Sequence, residues 1–159
     1  MESITIRKLN EEDWKEYSSL RLSALQSPDS SAFGGSFEIE SLRTEDEWKK
    51  RLIGKHRFYY GAFACNTLVS FAGVYFNQKN NQWIIVGVFT NPDFRRSGFS
   101  KSIIGEILKV LHARGVVKVI LTVQVEQLPA IALYKSLGFI EIDKIINENQ
   151  IVMERSTEI

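Results

Sequence analysis

The sequence predicts an α/β (α+β) fold, a mixed, mostly antiparallel central sheet of about seven strands flanked by about four helices. Several apolar segments of strand length lie in the middle of the chain and are separated by short turns. A long amphipathic pattern then links two buried-looking strands, which indicates a right-handed crossover. The 159 residues, 44% hydrophobic and 25% charged, suit a sizeable core. We therefore expect a single domain over residues 1–159.

The first third of the chain is predicted to hold one strand and two helices. Alternation over Ser3–Leu9 indicates the strand. Asn10 can cap a helix over residues 11–26, because acidic residues fill the first turn, where the helix dipole favours them. Thr44 is predicted to cap a short helix that ends at Gly54.

A meander of three strands follows. Its strands are predicted at residues 57–65, 68–77 and 83–90, and Asn66 with Thr67 is the hairpin signal between the first two. The third segment, WIIVGVFT, lacks alternation. That pattern indicates burial on both faces of the sheet.

The last third completes the sheet. A helix over residues 100–114 ends at Gly115, and the next strand covers residues 116–125. A short helix opens at Pro129 and ends at Gly138. The closing antiparallel pair is predicted at residues 139–146 and 150–156.

Charge and cysteine content exclude several function classes. Twenty basic residues against 19 acidic residues give a net charge of +1, so a surface built for nucleic acid or anionic membrane is not expected. Cys65 is the single cysteine, and its strand context predicts a small core residue. Together with two histidines it offers no metal site. The amino terminus lacks an h-region and no apolar run has the length of a membrane span, so we expect a cytoplasmic protein.

The chemistry of the sequence concentrates where a strand becomes a helix, in TNPDFRRSGFSKSIIGEIL, Thr90–Leu108. A helix amino terminus has unpaired N–H groups and partial positive charge, which attract anions. Gly98 lets the backbone approach a ligand closely, and Arg95 and Arg96 add charge that can pair with phosphate. The junction as far as Lys101 therefore has the composition of a diphosphate site. An exposed polar loop with a capping serine is the alternative.

Two common phosphate motifs do not match this junction. SGFSKS contains Lys101 and Ser102 but lacks the glycine that precedes the lysine in a Walker A sequence. The dinucleotide fingerprint needs three glycines, and Gly98 is the single glycine of the turn. An anion site at this junction would therefore be of a different type.

Two motifs resemble those of the GCN5-related N-acetyltransferase (GNAT) superfamily. VFTNPDFRRSGFSKSII is similar to its acetyl-CoA-binding motif, a strand followed by Gln/Arg-x-x-Gly-x-Gly/Ala and a helix. Arg95, Gly98 and Ser100 occupy the three defined positions, and serine at the last one is a departure. PAIALYKSLGF, Pro129–Phe139, resembles the second hallmark, a short helix with Ala-x-x-Leu-Tyr that ends in Gly-Phe. Because the element order also agrees, the resemblance covers nearly the whole chain and implies an acyl-CoA N-acyltransferase-like fold.

The resemblance implies acetyl-CoA as cofactor, coenzyme A as product, and direct transfer of the acetyl group to a primary amine of a small molecule or peptide. In the superfamily, the strand before the loop splays from its neighbour and offers backbone groups to the pantetheine arm, while loop amides hold the pyrophosphate. Gln127 falls where relatives often have an asparagine that contacts the cofactor. The cofactor-binding residues implied are Val88, Phe89, Thr90, Arg95, Arg96, Ser97, Gly98, Phe99, Ser100, Lys101, Gln127 and Tyr134.

Tyr134 is the catalytic residue that the resemblance implies. In the superfamily, the tyrosine of the second motif often lies near the cofactor sulfur and protonates the leaving thiolate. A phenol with an unperturbed pKa of roughly 10 holds its proton until a thiolate forms. The alternative is a tyrosine that only packs and hydrogen-bonds in the core.

The sequence leaves the general base unassigned. Several members of the superfamily carry a glutamate on the third meander strand, but WIIVGVF has no acid, and Ile84 lies near the position in question. A water chain to backbone carbonyls or an acid from elsewhere would then take the amine proton. Glu38, Glu40 and Glu126 are the candidates, but the simpler interpretation of each is a solvated surface charge.

The segment SPDSSAFGGSFEIE resembles the loop that some bacterial members fold over the acceptor. It implies substrate-binding roles for Phe33, Phe37 and Glu38, with the rings as an apolar wall and the carboxylate facing a cationic amine. Alternatively, the two phenylalanines pack into the core beneath a surface loop.

Other function classes compete with the enzyme. A non-catalytic acyl-CoA-binding or regulatory domain would fit the missing strand acid and the departures at Ser100 and Gln127. A nucleic-acid binder is a poor fit, because Arg95, Arg96 and Lys101 make too small a phosphate footprint. We therefore expect an amine acceptor as partner, with no nucleic acid and no membrane. The closing strands could support a homodimer.

Overall fold

The computed structural model describes residues 3–28 and 34–158. Its helices are α1 (Trp14–Gln26), α2 (Phe37–Glu40), α3 (Glu45–Leu52), α4 (Phe99–Ala113) and α5 (Leu128–Ser136). Its strands are β1 (Ile4–Lys8), β2 (Arg57–Ala64), β3 (Thr67–Asn77), β4 (Gln82–Thr90), β5 (Lys118–Gln124), β6 (Ile140–Ile145) and β7 (Gln150–Ser156). None of these described helices has both the length and the hydrophobicity to span a bilayer.

The described strands form one mixed sheet in the order β1-β2-β3-β4-β5-β7-β6. Neighbours run antiparallel except β4 and β5, which are parallel because α4 crosses over between them. The predicted fold class is confirmed, including the meander, the crossover and the closing pair.

The segment after α1 contains a helix that its turn-rich composition did not predict. α2 is a single turn, and its last residue, Glu40, is only 3% exposed. The Glu40 carboxylate accepts hydrogen bonds from Arg21 on α1 and Arg51 on α3. Tertiary ion pairs therefore fix this turn, which local propensity alone would not.

The β2–β3 hairpin turns one residue earlier than predicted. Ala64 pairs with Thr67, which leaves Cys65 and Asn66 as a two-residue loop with φ values of +48° and +68°. Positive φ at both positions is typical of a type I′ turn, whose twist matches that of the strands. The prediction of a core cysteine is wrong, because Cys65 lies in this loop and is exposed.

The predicted cap of α3 is confirmed, whereas Asn10 caps a 3₁₀ turn, Glu11–Asp13, that leads into α1, and α1 itself starts without a side-chain cap. The Asn10 side chain accepts from the Glu12 N–H at 2.9 Å, and the Asp13 carboxylate accepts from the Asn10 N–H at 2.8 Å. Thr44 Oγ1 accepts from the Glu47 N–H at 3.2 Å. Caps of this kind stabilise a helix by about 1 kcal/mol each.

Helices cover both faces of the sheet. On one face, α4 presents the predicted apolar stripe to the strands. The stripe consists of Ile103, Ile104, Ile107, Leu108 and Leu111. On the other face, α1 and α3 pack Tyr17 and Trp48 against each other, with ring centroids 5.9 Å apart, above Tyr59. β4 is thus held between two separate cores.

A β-bulge interrupts β4 near its carboxyl end. Phe71 of β3 lies opposite Phe89, but Gly73 lies opposite Val86, so one residue of β3 faces two residues of β4. Gly87 lies inside the bulge and has a φ of +61°, a conformation that glycine adopts without a steric penalty. A bulge bends its strand and increases the local twist.

The parallel ladder between β4 and β5 is short and has only two described residue pairs. Trp83 pairs with Val119 and Ile84 with Ile120, and the described ladder ends there. From the bulge to Thr90, β4 therefore runs without β5 beside it. The splayed strand that the resemblance implied is present.

Replacement of Gly73 by alanine is expected to destabilise the fold by about 1 to 3 kcal/mol. A Cβ at this position would lie 2.7 Å from Tyr59 Cζ, because the ring occupies the space above Gly73. Gly105→Ala is the matched control, because Gly105 is in the middle of α4 and, beyond nearby residues of that helix, no described atom lies within 4 Å of its added Cβ. That variant should gain about 0.5 to 1 kcal/mol. Urea unfolding at unchanged m value measures both, and equal destabilisation would contradict the packing argument.

Candidate cofactor and acceptor groove

A groove of about 1010 Å³ opens where β4 and β5 diverge. One end, here called the loop end, is formed by residues 94–101 before and within the first turn of α4. The middle is lined by β4, β5 and α5. The other end, here called the arginine end, is formed by Arg21, Arg51, Arg57, Tyr59 and Tyr75.

The loop end presents backbone N–H groups to the groove. Arg96 and Gly98 have left-handed conformations, with φ of +65° and +76°, of the kind that forms concave N–H nests. α4 begins at Phe99 without a side-chain cap, so its first amides have no capping partner. Apart from its two neighbours in the chain, no atom of the described residues lies within 4 Å of the position that a Cβ of Gly98 would occupy. This open, N–H-rich space fits an anionic diphosphate.

The predicted cationic side chains surround this space. Arg96 and Lys101 are exposed and line the loop end. Arg95 folds back over β4, where its Nε donates to the Thr90 carbonyl at 3.2 Å and its guanidinium lies 5.7 Å from the centre of the Phe89 ring. Arg95 therefore also holds the end of the strand in place.

A chain of hydroxyl groups ties the end of β4 to α4. Ser70 Oγ donates to the Phe89 carbonyl at 3.0 Å and lies 2.8 Å from Thr90 Oγ1. Thr90 Oγ1 in turn lies 2.9 Å from Ser100 Oγ. Serine departs from the glycine or alanine of the motif, and here it makes a hydrogen bond that neither of those residues could make.

Val88, Phe89 and Thr90 line the groove along the diverging part of β4. Because the β4–β5 ladder ends at Ile84, the backbone edge that faces β5 beyond it is open to a ligand. An extended chain with amide groups can pair with such an edge as an added strand does. The pantetheine arm has this chemistry.

Tyr134 lines the middle of the groove from α5. Its side chain is buried and packs edge-on against Phe139, with ring centroids 6.0 Å apart. Burial raises the pKa of the Tyr134 phenol to about 12. Within the described part of the chain, its hydroxyl makes no hydrogen bond, so it can serve a ligand in the groove.

Gln127 lies directly before α5 and also lines the groove. Its backbone N–H donates to the Gln124 carbonyl at 3.0 Å, which fixes the turn after β5. Its side chain makes no capping hydrogen bond to α5. The amide therefore remains available for a contact with a cofactor.

The arginine end is organised around one buried carboxylate. Glu40 accepts from Arg21 Nε and Nη2, both at 3.1 Å, and from Arg51 Nη1, also at 3.1 Å. Burial on its own would raise the pKa of Glu40, but the hydrogen bond and charge of Arg21 and the charge of Arg51 lower it. Glu40 is therefore ionised and paired with two arginines, which makes it unsuitable as a general base.

The pKa of Tyr59 is affected by the same positive charges. Burial on its own would raise the pKa of its phenol, but the charge and hydrogen bond of Arg51 and the charge of Arg57 outweigh burial and lower it. Its hydroxyl lies 3.5 Å from Arg51 Nε. Gly73 leaves room for the Tyr59 ring above β3.

The residues predicted for the acceptor lie elsewhere in the described chain. Phe37 is half-buried and packs against the core beneath α1 and α3. Glu38 is exposed, and its carboxylate accepts from Ser36 Oγ at 2.8 Å. Neither lines the groove, and Phe33 lies outside the described residues. Their roles in substrate binding stay predictions.

No acidic side chain of the described residues lines the groove. Glu126 is exposed in the turn after β5, and Ile84 is half-buried on β4. Among the described residues, no three potential metal ligands lie together either. The described groove thus offers cations, hydroxyls and backbone groups rather than carboxylates.

Sequence reasoning missed the arginine end. Arg21 lies in the middle of α1, Arg51 near the end of α3 and Arg57 at the start of β2. Each fits a solvated position of its own element, and no local motif relates them. The one available signal was Glu40 in an otherwise turn-rich segment, and it does not identify its partners.

Comparison with known proteins identifies the family. The profile of the acetyltransferase (GNAT) family matches residues 8–139, which include both motifs. A ribosomal protein bS18-alanine N-acetyltransferase of Salmonella typhimurium is 39% identical over 57 residues, 36% of this chain and 38% of that relative. The Escherichia coli K12 enzyme of the same name is 35% identical over the same shares. The chain thus spans little more than a third of the length of the curated relatives that it matches.

Solved structures share the fold over nearly the whole chain. The PaiA N-acetyltransferase of Thermoplasma acidophilum, in complex with coenzyme A, has a TM-score of 0.78 at 20% identity and covers 97% of this chain and 99% of its own. The ribosomal-protein-S18-alanine N-acetyltransferase of Escherichia coli has a TM-score of 0.70 at 19% identity, with 99% and 96% covered. Since the profile, both motifs, the splayed strands and the fold agree, the chain belongs to the acetyltransferase (GNAT) family.

Proposed function

We propose that this protein is an acetyl-CoA-dependent N-acetyltransferase that moves the acetyl group directly to a primary amine of a small molecule or peptide. One observation supports this most strongly. A single groove joins an N–H-rich helix start, an open strand edge and a buried tyrosine. The relatives named as N-acetyltransferases support the same reaction class.

The residues of the groove match the parts of acetyl-CoA in order. The amides around Gly98, with Arg96 and Lys101, suit the diphosphate. The open edge of β4 at Val88 suits the amide groups of the pantetheine arm. When bound, the cofactor supplies an acetyl group activated as a thioester. Arg95 and the Ser70–Thr90–Ser100 hydroxyl chain hold strand and loop at a fixed separation, which positions both halves of the site.

Tyr134 is proposed to donate its proton to the departing sulfur. With its pKa raised to about 12 by burial, the phenol stays protonated across the neutral range. Because a thiol has an unperturbed pKa of about 8.5, the thiolate is a weaker base than this phenolate, and the transfer is completed when water that carries the amine proton reprotonates the phenolate. Its packing against Phe139 fixes the ring, so the hydroxyl position is set before the reaction.

The acceptor is proposed to react as the neutral amine and to lose its proton to water. Glu40 is engaged by arginines, Glu126 is exposed, and no carboxylate of the described residues lines the groove. The same observation favours the alternative function, a non-catalytic acyl-CoA-binding or regulatory domain. Release of coenzyme A thiol in the presence of amines would exclude that alternative.

Domain organisation, location and assembly stay predictions. We propose a single domain over residues 1–159 and a cytoplasmic location, without nucleic-acid or membrane partners. A homodimer through the closing strands is supported by β6, which ends the sheet and exposes Ile140 and Ile142. Light scattering of the purified chain measures the mass of the assembly.

Tyr134→Phe should lower kcat by about 100-fold or more, because the departing thiolate loses its proton donor. The dissociation constant of acetyl-CoA should stay within about twofold, since the ring keeps its packing. Tyr60→Phe is the control, because Tyr60 does not line the groove. Steady-state thiol release and calorimetry separate the two quantities. A kcat unchanged in Tyr134→Phe would remove Tyr134 from the mechanism.

Gly98→Ala should weaken acetyl-CoA binding, because the added Cβ enters the space beside the loop amides. Acetyl-CoA at about 100 times its Kd should stabilise the unmodified protein by roughly 2.7 kcal/mol, and so raise Tm by about 5 to 10 °C. This rise should shrink in Gly98→Ala. ATP and NAD serve as ligand controls.

Gly115→Ala is the matched control for that experiment. Gly115 follows α4 with a φ of +79°, close to the +76° of Gly98, and apart from its chain neighbours its added Cβ also meets no described atom within 4 Å. Both alanines should therefore cost similar basal stability, about 1 to 2 kcal/mol. The two variants should differ in the acetyl-CoA shift alone. A full shift in Gly98→Ala would place the diphosphate elsewhere.

A further inference from the structure

The arginine end concentrates positive charge at the far end of the groove from the loop. Three guanidinium groups, those of Arg21, Arg51 and Arg57, line it together with two phenol rings. They come from α1, α3 and β2, so the fold and not a local motif assembles them. The loop end already has cations for a diphosphate. The arginine end is therefore a second cationic region of the same groove.

Glu40 balances part of this charge. It accepts from Arg21 and Arg51 together, so one carboxylate serves two guanidinium groups. The side chains are largely buried, with exposures of 6% for Arg21, 16% for Arg51 and 4% for Glu40. Charge in such a setting is poorly screened by solvent. The lowered pKa values of Glu40 and Tyr59 are consistent with a positive local potential.

Arg57 has no acidic partner among the described residues, so its positive charge is not neutralised there. It lies opposite Tyr75 in the β2–β3 ladder, and its guanidinium is 5.4 Å from the centre of the Tyr75 ring. No carboxylate of the described residues lies within ion-pair distance of it. Arg57 is exposed, and the contact with the Tyr75 ring restricts its guanidinium while leaving the N–H groups open to a ligand.

The arginine end adjoins the strand that would hold the thioester. A Cβ added to Gly87, inside the bulge of β4, would lie 3.8 Å from Arg21 Nη1. A small molecule could therefore reach from the arginines to the diverging part of β4. An acceptor with further positive charges would meet like charge along this end, which costs binding energy. An acceptor with an anionic group would meet complementary charge.

We propose, on the basis of the proposed function, that the acceptor is a small amine carrying an anionic oxygen group that Arg57 and Arg51 bind. The guanidinium fork matches both carboxylate and phosphonate or phosphate oxygens. A free amino acid is the simplest acceptor of this class. The anion lies at the arginine end, and the amine points along the groove towards Val88. This assignment places the specificity of the enzyme in residues that the motifs do not contain.

The test is a matched set of acceptors on one carbon chain. The four compounds share an amine and differ mainly in the group at the other end of the chain: 3-aminopropanoate, 2-aminoethylphosphonate, 3-aminopropanamide and 1,3-diaminopropane. The comparison is repeated on shorter and longer chains, and with α-amino acids and their amides. The full chain with acetyl-CoA is assayed by thiol release. We expect kcat/KM about 10- to 100-fold higher for an anionic acceptor than for its amide. The carboxylate and phosphonate arms tell which anion is preferred. A diamine or an amide used as well as the anionic amine overturns the proposal.

Arg57→Gln tests the residue. It should lower kcat/KM for anionic acceptors by about 10- to 100-fold and leave that of the uncharged amide within about threefold. Arg57→Glu should shift the preference towards the diamine. Arg57 is varied because Arg51 also holds Glu40 and its loss would affect folding. Arg114→Gln is the control, because Arg114 is also exposed, lies against an aromatic ring, 4.7 Å from the Phe58 ring centre, and does not line the groove.

Binding separates this proposal from the function on which it rests. Calorimetry on the coenzyme A-loaded protein should show the preferred anionic amine bound by the unmodified chain and weakened in Arg57→Gln. If acetyl-CoA causes no thermal shift, the proposed function fails. If acetyl-CoA binds and uncharged amines react best, the function stands and the anionic acceptor is wrong. If Arg57→Gln and the unmodified chain bind the anionic amine equally well, the proposed anionic acceptor is also wrong.

Discussion

The divergence of β4 from β5 is the constraint on which the rest of the site depends. A continuous parallel ladder would use the backbone groups of both strands and close the groove. That ladder ends after Ile84, the bulge at Gly87 bends β4 beyond this point, and an edge of β4 is exposed in the middle of the sheet. The free-energy cost of these unpaired backbone groups is limited, because hydrophobic cores on both faces of the sheet hold the strands. Arg95 and the hydroxyl chain then fix the free end.

The two ends of the groove gain positive charge by different means. At the loop end, the charge comes largely from backbone N–H groups, since the first turn of α4 has no side-chain cap. At the other end it comes from side chains organised by Glu40. A buried ion cluster contributes little net stability, because apolar residues of similar size often serve as well. Here it fixes α2 between α1 and α3 and orients two of the three arginines.

Local sequence patterns predicted most of the secondary structure correctly. They failed for elements whose position depends on contacts between residues far apart in the sequence. The meander, the crossover and the caps at Asn10 and Thr44 depend on residues close in sequence, so they were predictable. The one-residue error at Cys65 arose because the pairing register, which depends on both strands, decides where a hairpin turns. α2 was missed because distant arginines stabilise it.

The sequence by itself determined the fold class and the loop end of the groove. Glycine, arginines and a helix start lie within one short segment, so spacing alone brings them together. Tyr134 was located in the same way, by the short helix that carries it. Only the tertiary structure decided the arginine end, because Arg21, Arg51 and Arg57 belong to three elements whose packing is set by sheet order and core contacts. Local sequence has no signal for such a convergence, since each residue satisfies its own element equally well on a solvated surface.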